Sequence, residues 1–142
     1  MPRRSRFLTI IGAIALWIGT IVVFILLAAG GVQKLTLEKS ALVDFSYWGY
    51  PFWFMIAIGI IESVSAILLL IPRLALVGAA FIVLDMLGAI VTTVLHAEYD
   101  RAVLSAILAA ISALILRARW VQFSNRLLPA IRRPFITARN RA

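Results

Sequence analysis

The chain contains no cysteine and only one histidine, His96, among its 142 residues. Without thiols it can form no disulfide, no thiolate zinc site and no cysteine-ligated iron–sulfur cluster, and one histidine excludes a haem held between two histidines of the same chain. No metal site is therefore predicted. Charged residues are also scarce, at 14%, whereas apolar residues make up 63% and the mean hydropathy is +1.04. Because helices of a soluble domain keep one polar face, this composition excludes an ordinary soluble globule.

The apolar residues are gathered into four runs, at about residues 8–29, 51–71, 74–95 and 102–116. A helix needs ~20 apolar residues to cross ~30 Å of hydrocarbon, and arginines at both ends of the shorter fourth run can add length by snorkelling. The first run is about twice as long as a signal-peptide core, which favours a retained anchor. The sequence predicts an all-α, polytopic bundle of four transmembrane helices in residues 1–116, followed by a basic, partly amphipathic cytoplasmic tail in residues 117–142.

Basic residues are distributed unevenly between the two sides of this predicted bundle. Eleven arginines fall in the N-terminal segment, the second loop and the tail, whereas the first and third loops hold only Lys34, Lys39 and Arg101. By the positive-inside rule both termini are cytoplasmic, which predicts a multi-pass protein of the plasma or inner membrane. The tail is expected to bind anionic lipid, and topology explains its charge without nucleic acid.

Aromatic residues cluster where the second helix begins. Tyr47, Trp48, Tyr50, Trp53 and Phe54 lie within eight positions of one another. Amphipathic rings prefer the headgroup depth of a bilayer. We therefore interpret the cluster as an interfacial belt rather than as a platform for a ligand.

Two carboxyl groups interrupt the apolar runs. Glu62 lies 11 residues before Arg73 and Asp85 lies 12 residues after it, so a tight turn at Pro72 places both at nearly the same depth of an antiparallel hairpin. An ionised carboxylate there costs at least ~2.5 kcal/mol, and we expect no basic residue at that depth to pair with either group. At least one of the two carboxyls is therefore expected to stay protonated near neutrality, and one shared proton would satisfy both. They could form a proton-binding or ligand-protonating site, or they could serve only as hydrogen-bonding contacts between helices.

The third helix carries further polar residues on the side of Asp85. At 100° per residue the same helix face as Asp85 also carries Gly78, Gly88, Thr92 and His96. His96 at the helix end could exchange protons with water. Small residues on this face also suit close helix packing whatever the function. Glu62, Asp85, Thr92 and His96 are thus the candidate proton or ligand site.

Several short motifs match a known family when they are taken in order. The segment Gly30-Gly31-Val32-Gln33-Lys34-Leu35 is followed by Gly49-Tyr50-Pro51, by Gly59 and Glu62, by Leu68-Leu69-Leu70-Ile71-Pro72-Arg73, and by Met86 with Gly88-Ala89. In this order and spacing the chain resembles the DoxX and DoxX-like family of small membrane proteins, over roughly residues 28–96. The resemblance adds Lys34 to the candidate site, because the family's lysine, glutamate and third-helix positions match Lys34, Glu62 and Met86. Asp85 is not among the matching positions.

The resemblance implies a four-helix membrane protein that is associated, in some relatives, with oxidoreductase complexes. One such system passes electrons from thiosulfate to quinone, and another is linked to oxidative-stress defence. The sequence reveals no intrinsic cofactor, so catalysis by this chain would need electrons from a partner or a bound quinone. Three hypotheses stay open. The chain is a redox-associated subunit that binds quinone or docks an oxidoreductase, a proton-coupled carrier or permeation pathway, or a non-catalytic anchor or assembly factor. A homo-oligomer is compatible with each of them.

Overall fold

The computed structural model describes the backbone of residues 2–139 and the side chains of residues 10–124. Within this range the chain forms five helices and no strand: α1 (Pro2–Leu35), α2 (Lys39–Tyr47), α3 (Phe52–Leu70), α4 (Ala75–Leu95) and α5 (Tyr99–Arg139). Four of them contain segments long and apolar enough to span a bilayer, namely Ile10–Leu35, Phe52–Leu70, Ala75–Leu95 and Tyr99–Ser124. The prediction of an all-α, four-helix membrane bundle is confirmed.

Two of the predicted spans differ from the observed helices at their ends. The first extends to Leu35 rather than residue 29, and the fourth runs through Tyr99–Ser124 rather than residues 102–116. Hydropathy marks the apolar part of a helix, whereas the backbone stays helical through polar residues at either end. As a result, α5 passes residue 117 without a break, and the lipid-binding tail predicted for residues 117–142 falls mainly on side chains outside the described range.

The four long helices pack in a ring. In it α1 contacts α3 and α5, and α4 also contacts α3 and α5, so that α1 and α4 lie diagonally opposite each other. Residues 71–74 connect α3 to α4 in a short turn, as predicted for the hairpin. We call this end of the bundle the hairpin end, and the opposite end, where α2 packs against α1 and α3, the α2 end.

The core between the helices is built from apolar side chains of all four. It contains Val23, Leu27, Ala66, Leu69, Ala79, Ile82, Met86, Leu108 and Ile115. The α3 and α4 members lie mainly on the hairpin side of Glu62 and Asp85. A second, smaller cluster of Ala41, Phe45 and Met55 attaches α2 to the start of α3. The sequence did not predict α2, because nine residues of mixed polarity give no membrane-span signal.

Candidate functional site

The position of Lys34 follows from where α1 ends. After Leu35 the chain reverses at Leu37, which has a positive φ of 57°. The Glu38 amide donates to the Gln33 carbonyl at 3.0 Å and the Leu37 amide to the Lys34 carbonyl at 3.4 Å, which is the Schellman pattern of a helix C-terminus. This turn leaves Lys34 in the last helical turn of α1.

Glycines bring α1 and α3 close together at this level. A Cβ on Gly31 would collide with the Ser63 hydroxyl and lie 3.0 Å from the Gly59 carbonyl oxygen, and a Cβ on Gly59 would lie 2.9 Å from the Lys34 Cβ. Only residues without side chains permit such an approach. The contact places the end of α1 beside the middle of α3.

Lys34 and Glu62 form an ion pair in this contact. The Lys34 Nζ donates to the two carboxylate oxygens of Glu62 at 2.7 and 2.9 Å, and the two side chains are only 16% and 8% exposed. The expectation that no basic residue reaches the buried carboxyls is therefore wrong. Hydropathy places Lys34 in a loop beyond the membrane. In the structure α1 includes Lys34 and contacts the middle of α3.

Asp85 lies on α4 near this ion pair and is half-buried. Its Oδ2 is buried and has no hydrogen-bond partner among the described residues. Both carboxylate oxygens of Glu62 accept hydrogen bonds from the Lys34 Nζ, and no hydrogen bond between the described side chains joins Glu62 to Asp85. Asp85 is thus the acid with unused hydrogen-bonding capacity. A buried polar atom of this kind is costly unless a ligand or water satisfies it.

A cavity of about 610 Å³ lies beside these groups, towards the α2 end. Lys34, Glu62, Asp85 and Thr92 of the predicted set line it, and His96 does not. The other lining residues are mostly apolar or aromatic: Gln33, Ser40, Ala41, Asp44, Phe45, Trp48, Tyr50, Phe54, Ile58, Leu84, Leu87, Gly88, Ala89, Val91 and Thr93. The volume is in the range of small-molecule sites, which are concave and largely apolar with a few convergent polar groups.

The predicted polar residues of α4 separate into different environments. The Thr92 hydroxyl shares a 2.8 Å hydrogen bond with the Tyr50 hydroxyl and ties α4 to the start of α3. His96 caps the end of α4, with its Nδ1 2.8 Å from the Thr92 carbonyl oxygen and its ring against Tyr47 and Trp48. Gly78 contacts α3 near the hairpin end, where its Cβ would lie 2.9 Å from the Leu69 nitrogen.

Part of the predicted aromatic belt is instead a wall of the cavity. Trp48, Tyr50 and Phe54 line it together with Phe45, while Tyr47 and Trp53 are exposed as a belt requires. The Trp48 Nε1 is buried without a hydrogen-bond partner among the described residues. The sequence offered no signal for this wall, because it depends on how α2 folds back over α3.

An ion pair links α2 to the start of α5 at the α2 end. Arg101 at the start of α5 lies 2.8 Å from the Asp44 carboxylate and 3.4 Å from that of Glu98, and its guanidinium lies 5.8 Å from the centre of the Trp48 ring. These contacts connect α2 to the α4–α5 turn. Phe45 of α2 and the adjacent Trp48 line the cavity at this end, where the lining residues Gln33 and Ser40 are exposed.

The resulting arrangement combines a few polar groups with mostly apolar walls. It presents Asp85, whose Oδ2 has no partner in the part of the chain that the structure describes, beside a neutralised lysine–glutamate pair, and surrounds them with mostly apolar and aromatic side chains. Such a site can hold an apolar ring with polar oxygen atoms and exchange hydrogen bonds or a proton with it.

Comparison with known proteins supports the family suggested by the sequence motifs. No curated protein and no solved structure matches the chain. The profile of the DoxX-like family matches residues 18–115, which include α2, α3, α4, the end of α1 and the first part of α5. The matched segment contains every residue of the cavity wall and covers more than half of the chain, so the protein belongs to the DoxX-like family.

Proposed function

We propose that this DoxX-like membrane protein binds a quinone-class molecule in the cavity, as the membrane-embedded subunit of an oxidoreductase system. The observation that carries the proposal is a cavity of about 610 Å³ with Asp85 and a lysine–glutamate pair at one place and apolar or aromatic walls elsewhere. A polar solute would leave those walls unmatched, and a plain hydrocarbon would leave the Asp85 oxygen unsatisfied. An apolar ring that carries oxygen atoms matches both.

We assign two polar groups of the wall to the two oxygen atoms of such a ring. In its protonated form the Asp85 carboxyl can donate a hydrogen bond to one carbonyl oxygen, and the Trp48 Nε1, which has no partner within the described range, can donate to the other. Glu62 holds the Lys34 ammonium, so the charge of the lysine is compensated before any ligand arrives. A bound quinone would supply reversible two-electron, two-proton chemistry, with the electrons provided by a partner protein, while Asp85 holds or moves a proton at its free oxygen.

The packing of the bundle favours binding over permeation. The core cluster fills the space on the hairpin side of Glu62 and Asp85 with side chains such as Leu69 and Ile82, which are at most 1% exposed. A continuous pathway across this bundle would have to pass through that packed region. The proton-coupled carrier and the non-catalytic anchor are the alternatives against which the quinone proposal is tested.

The proposal is tested by purifying the protein in a mild detergent and quantifying quinone in the organic extract. We expect the wild-type chain to retain quinone and to bind added decylubiquinone saturably. Asp85→Ala should weaken that binding about tenfold, because one hydrogen bond to a charged or strongly polar group is worth about 1.5 kcal/mol. Asp85→Asn, which keeps hydrogen-bonding capacity, should retain most of it.

The matched control is Asp100→Asn, because Asp100 is an exposed acid in the first turn of α5. It should bind decylubiquinone like the wild type. A wild-type preparation without co-purified quinone and without saturable binding would overturn the proposal. Equal binding by the wild type and Asp85→Ala would show that Asp85 takes no part.

A further inference from the structure

One wall of the cavity is formed by residues that also face outward. Leu84, Leu87 and Val91 line the cavity and are 65%, 49% and 59% exposed. Their spacing of three and four places them in one stripe along α4. Side chains that border a cavity and are exposed outside the bundle mark the edge of an opening. Because α4 spans the membrane, the opening faces lipid.

The space beside α4 differs between the hairpin end and the level of the cavity. Near the hairpin end, a Cβ on Gly78 would lie 2.9 Å from both the Leu69 nitrogen and the Ser65 carbonyl oxygen of α3. Ten residues later on α4, a Cβ on Gly88 would meet no atom within 4 Å. Gly88 lines the cavity, so the free space beside it connects the cavity to the exposed stripe.

The polarity of the cavity differs between its buried groups and its edge on α4. Glu62 and the Oδ2 of Asp85 are buried beside it, whereas its exposed edge on α4 consists of Leu84, Leu87 and Val91. The exposed lining residues on α1 and α2 are the polar Gln33 and Ser40. An apolar edge in contact with hydrocarbon gives no favourable interaction to a water-soluble solute. It does stabilise an alkyl chain that extends from a polar head bound deeper in the cavity.

We infer that the cavity is loaded from the bilayer through the gap between α3 and α4 beside Gly88, and that its ligand carries an alkyl or isoprenoid tail which stays in this gap. The inference rests on the proposed quinone function, and it specifies the tail, the route and the residue that keeps the route open. Gly88 is then a specificity-determining position, because any larger side chain there would occupy the path of the tail.

The test compares a tailed and a tailless probe on Gly88 variants reconstituted in nanodiscs. The probes are decylubiquinone and its ring alone, 2,3-dimethoxy-5-methyl-1,4-benzoquinone. Quenching of Trp48 fluorescence reports binding in a parent chain in which Trp17, Trp53 and Trp120 are replaced by phenylalanine. Gly88→Leu should weaken decylubiquinone binding at least about tenfold and change ring binding by less than about twofold. Gly88→Ala should retain both, since a methyl group leaves most of the gap open.

Gly12→Leu is the matched control, since a Cβ on Gly12 also meets no atom within 4 Å but the residue lies outside the cavity. It should behave like the parent with both probes, and thermal unfolding checks that each variant is folded. If Gly88→Leu leaves both affinities unchanged, or lowers both equally, the lateral route is overturned while the site itself stands. If the parent binds neither probe, the proposed function fails, and the inference fails with it.

Discussion

The contribution of the Lys34–Glu62 ion pair to stability depends on its burial. The paired atoms lie 2.7 Å apart with little exposure, so removal of one partner leaves the other without compensation in a low-dielectric region. We predict that Glu62→Gln lowers the free energy of unfolding by about 3 kcal/mol and that Lys34→Met also destabilises the protein. The double variant should lose clearly less than the sum of the two, because neither charge is then left alone. Thermal unfolding in detergent measures all three.

The control for this cycle is Lys39→Met. Lys39 is exposed at the start of α2, and its replacement should change stability by less than about 0.5 kcal/mol. If the effects of Glu62→Gln and Lys34→Met simply add, the two residues are not coupled, and the ion pair contributes nothing to the bundle.

Single residues also explain why the ion pair could not be read from the sequence. A glycine after a helix usually marks its end, but the residue with positive φ after α1 is Leu37, and after α4 it is Ala97. Neither gives a stop signal. Hydropathy therefore ends the first span near residue 29 and places Lys34 in a loop, although the family resemblance adds Lys34 to the candidate site.

At the scale of helices, contact between α1 and α3 depends on Gly31 and Gly59. We predict that Gly31→Ala destabilises the protein by about 1 to 3 kcal/mol, because the new methyl group would meet backbone atoms of Gly59 and Ser63 that cannot move aside. It should also weaken decylubiquinone binding, since Lys34 would be displaced from Glu62. The measurements are thermal unfolding and fluorescence titration on the same samples.

Gly12→Ala is the comparison for that prediction. Gly12 lies in the same helix with free space around it, so alanine should be neutral or stabilise α1 by up to about 1 kcal/mol. Equal effects of the two substitutions would show that the α1–α3 contact does not depend on glycine.

The long helices could be predicted because each needs only a local signal, a run of apolar residues of sufficient length. The turn at Pro72 likewise predicted the α3–α4 hairpin. The cavity depends instead on the open space beside Gly88 of α4 and on α2 folding over the start of α3. These are tertiary features, and neither leaves a periodic pattern in the sequence. The sequence therefore predicted Glu62, Asp85 and Thr92 as site residues but not their shared cavity.

Taken as a whole molecule, the bundle has different properties at its two ends. The hairpin half is packed with apolar side chains from all four long helices, whereas the α2 half contains the cavity and most of the polar contacts. Packed cores resist changes of volume more strongly than open sites do. Ligand binding should therefore depend mainly on the α2 half, whereas stability depends on the packed core of the hairpin half and on the buried Lys34–Glu62 pair at its border.

The orientation of the bundle determines which side of the membrane the α2 end faces. Four spans place both ends of the chain on one side, and that side carries nearly all of the arginines. Apart from the buried Lys34, the basic residues at the described α2 end are only Lys39 and Arg101. We predict by the positive-inside rule that the α2 end faces away from the cytoplasm. Green fluorescent protein fused after Ala142 should fluoresce, and alkaline phosphatase inserted after Ala97 should be active. An active phosphatase at Ala142 together with an inactive one at Ala97 would reverse this orientation and would place the cavity in the cytoplasmic half of the membrane.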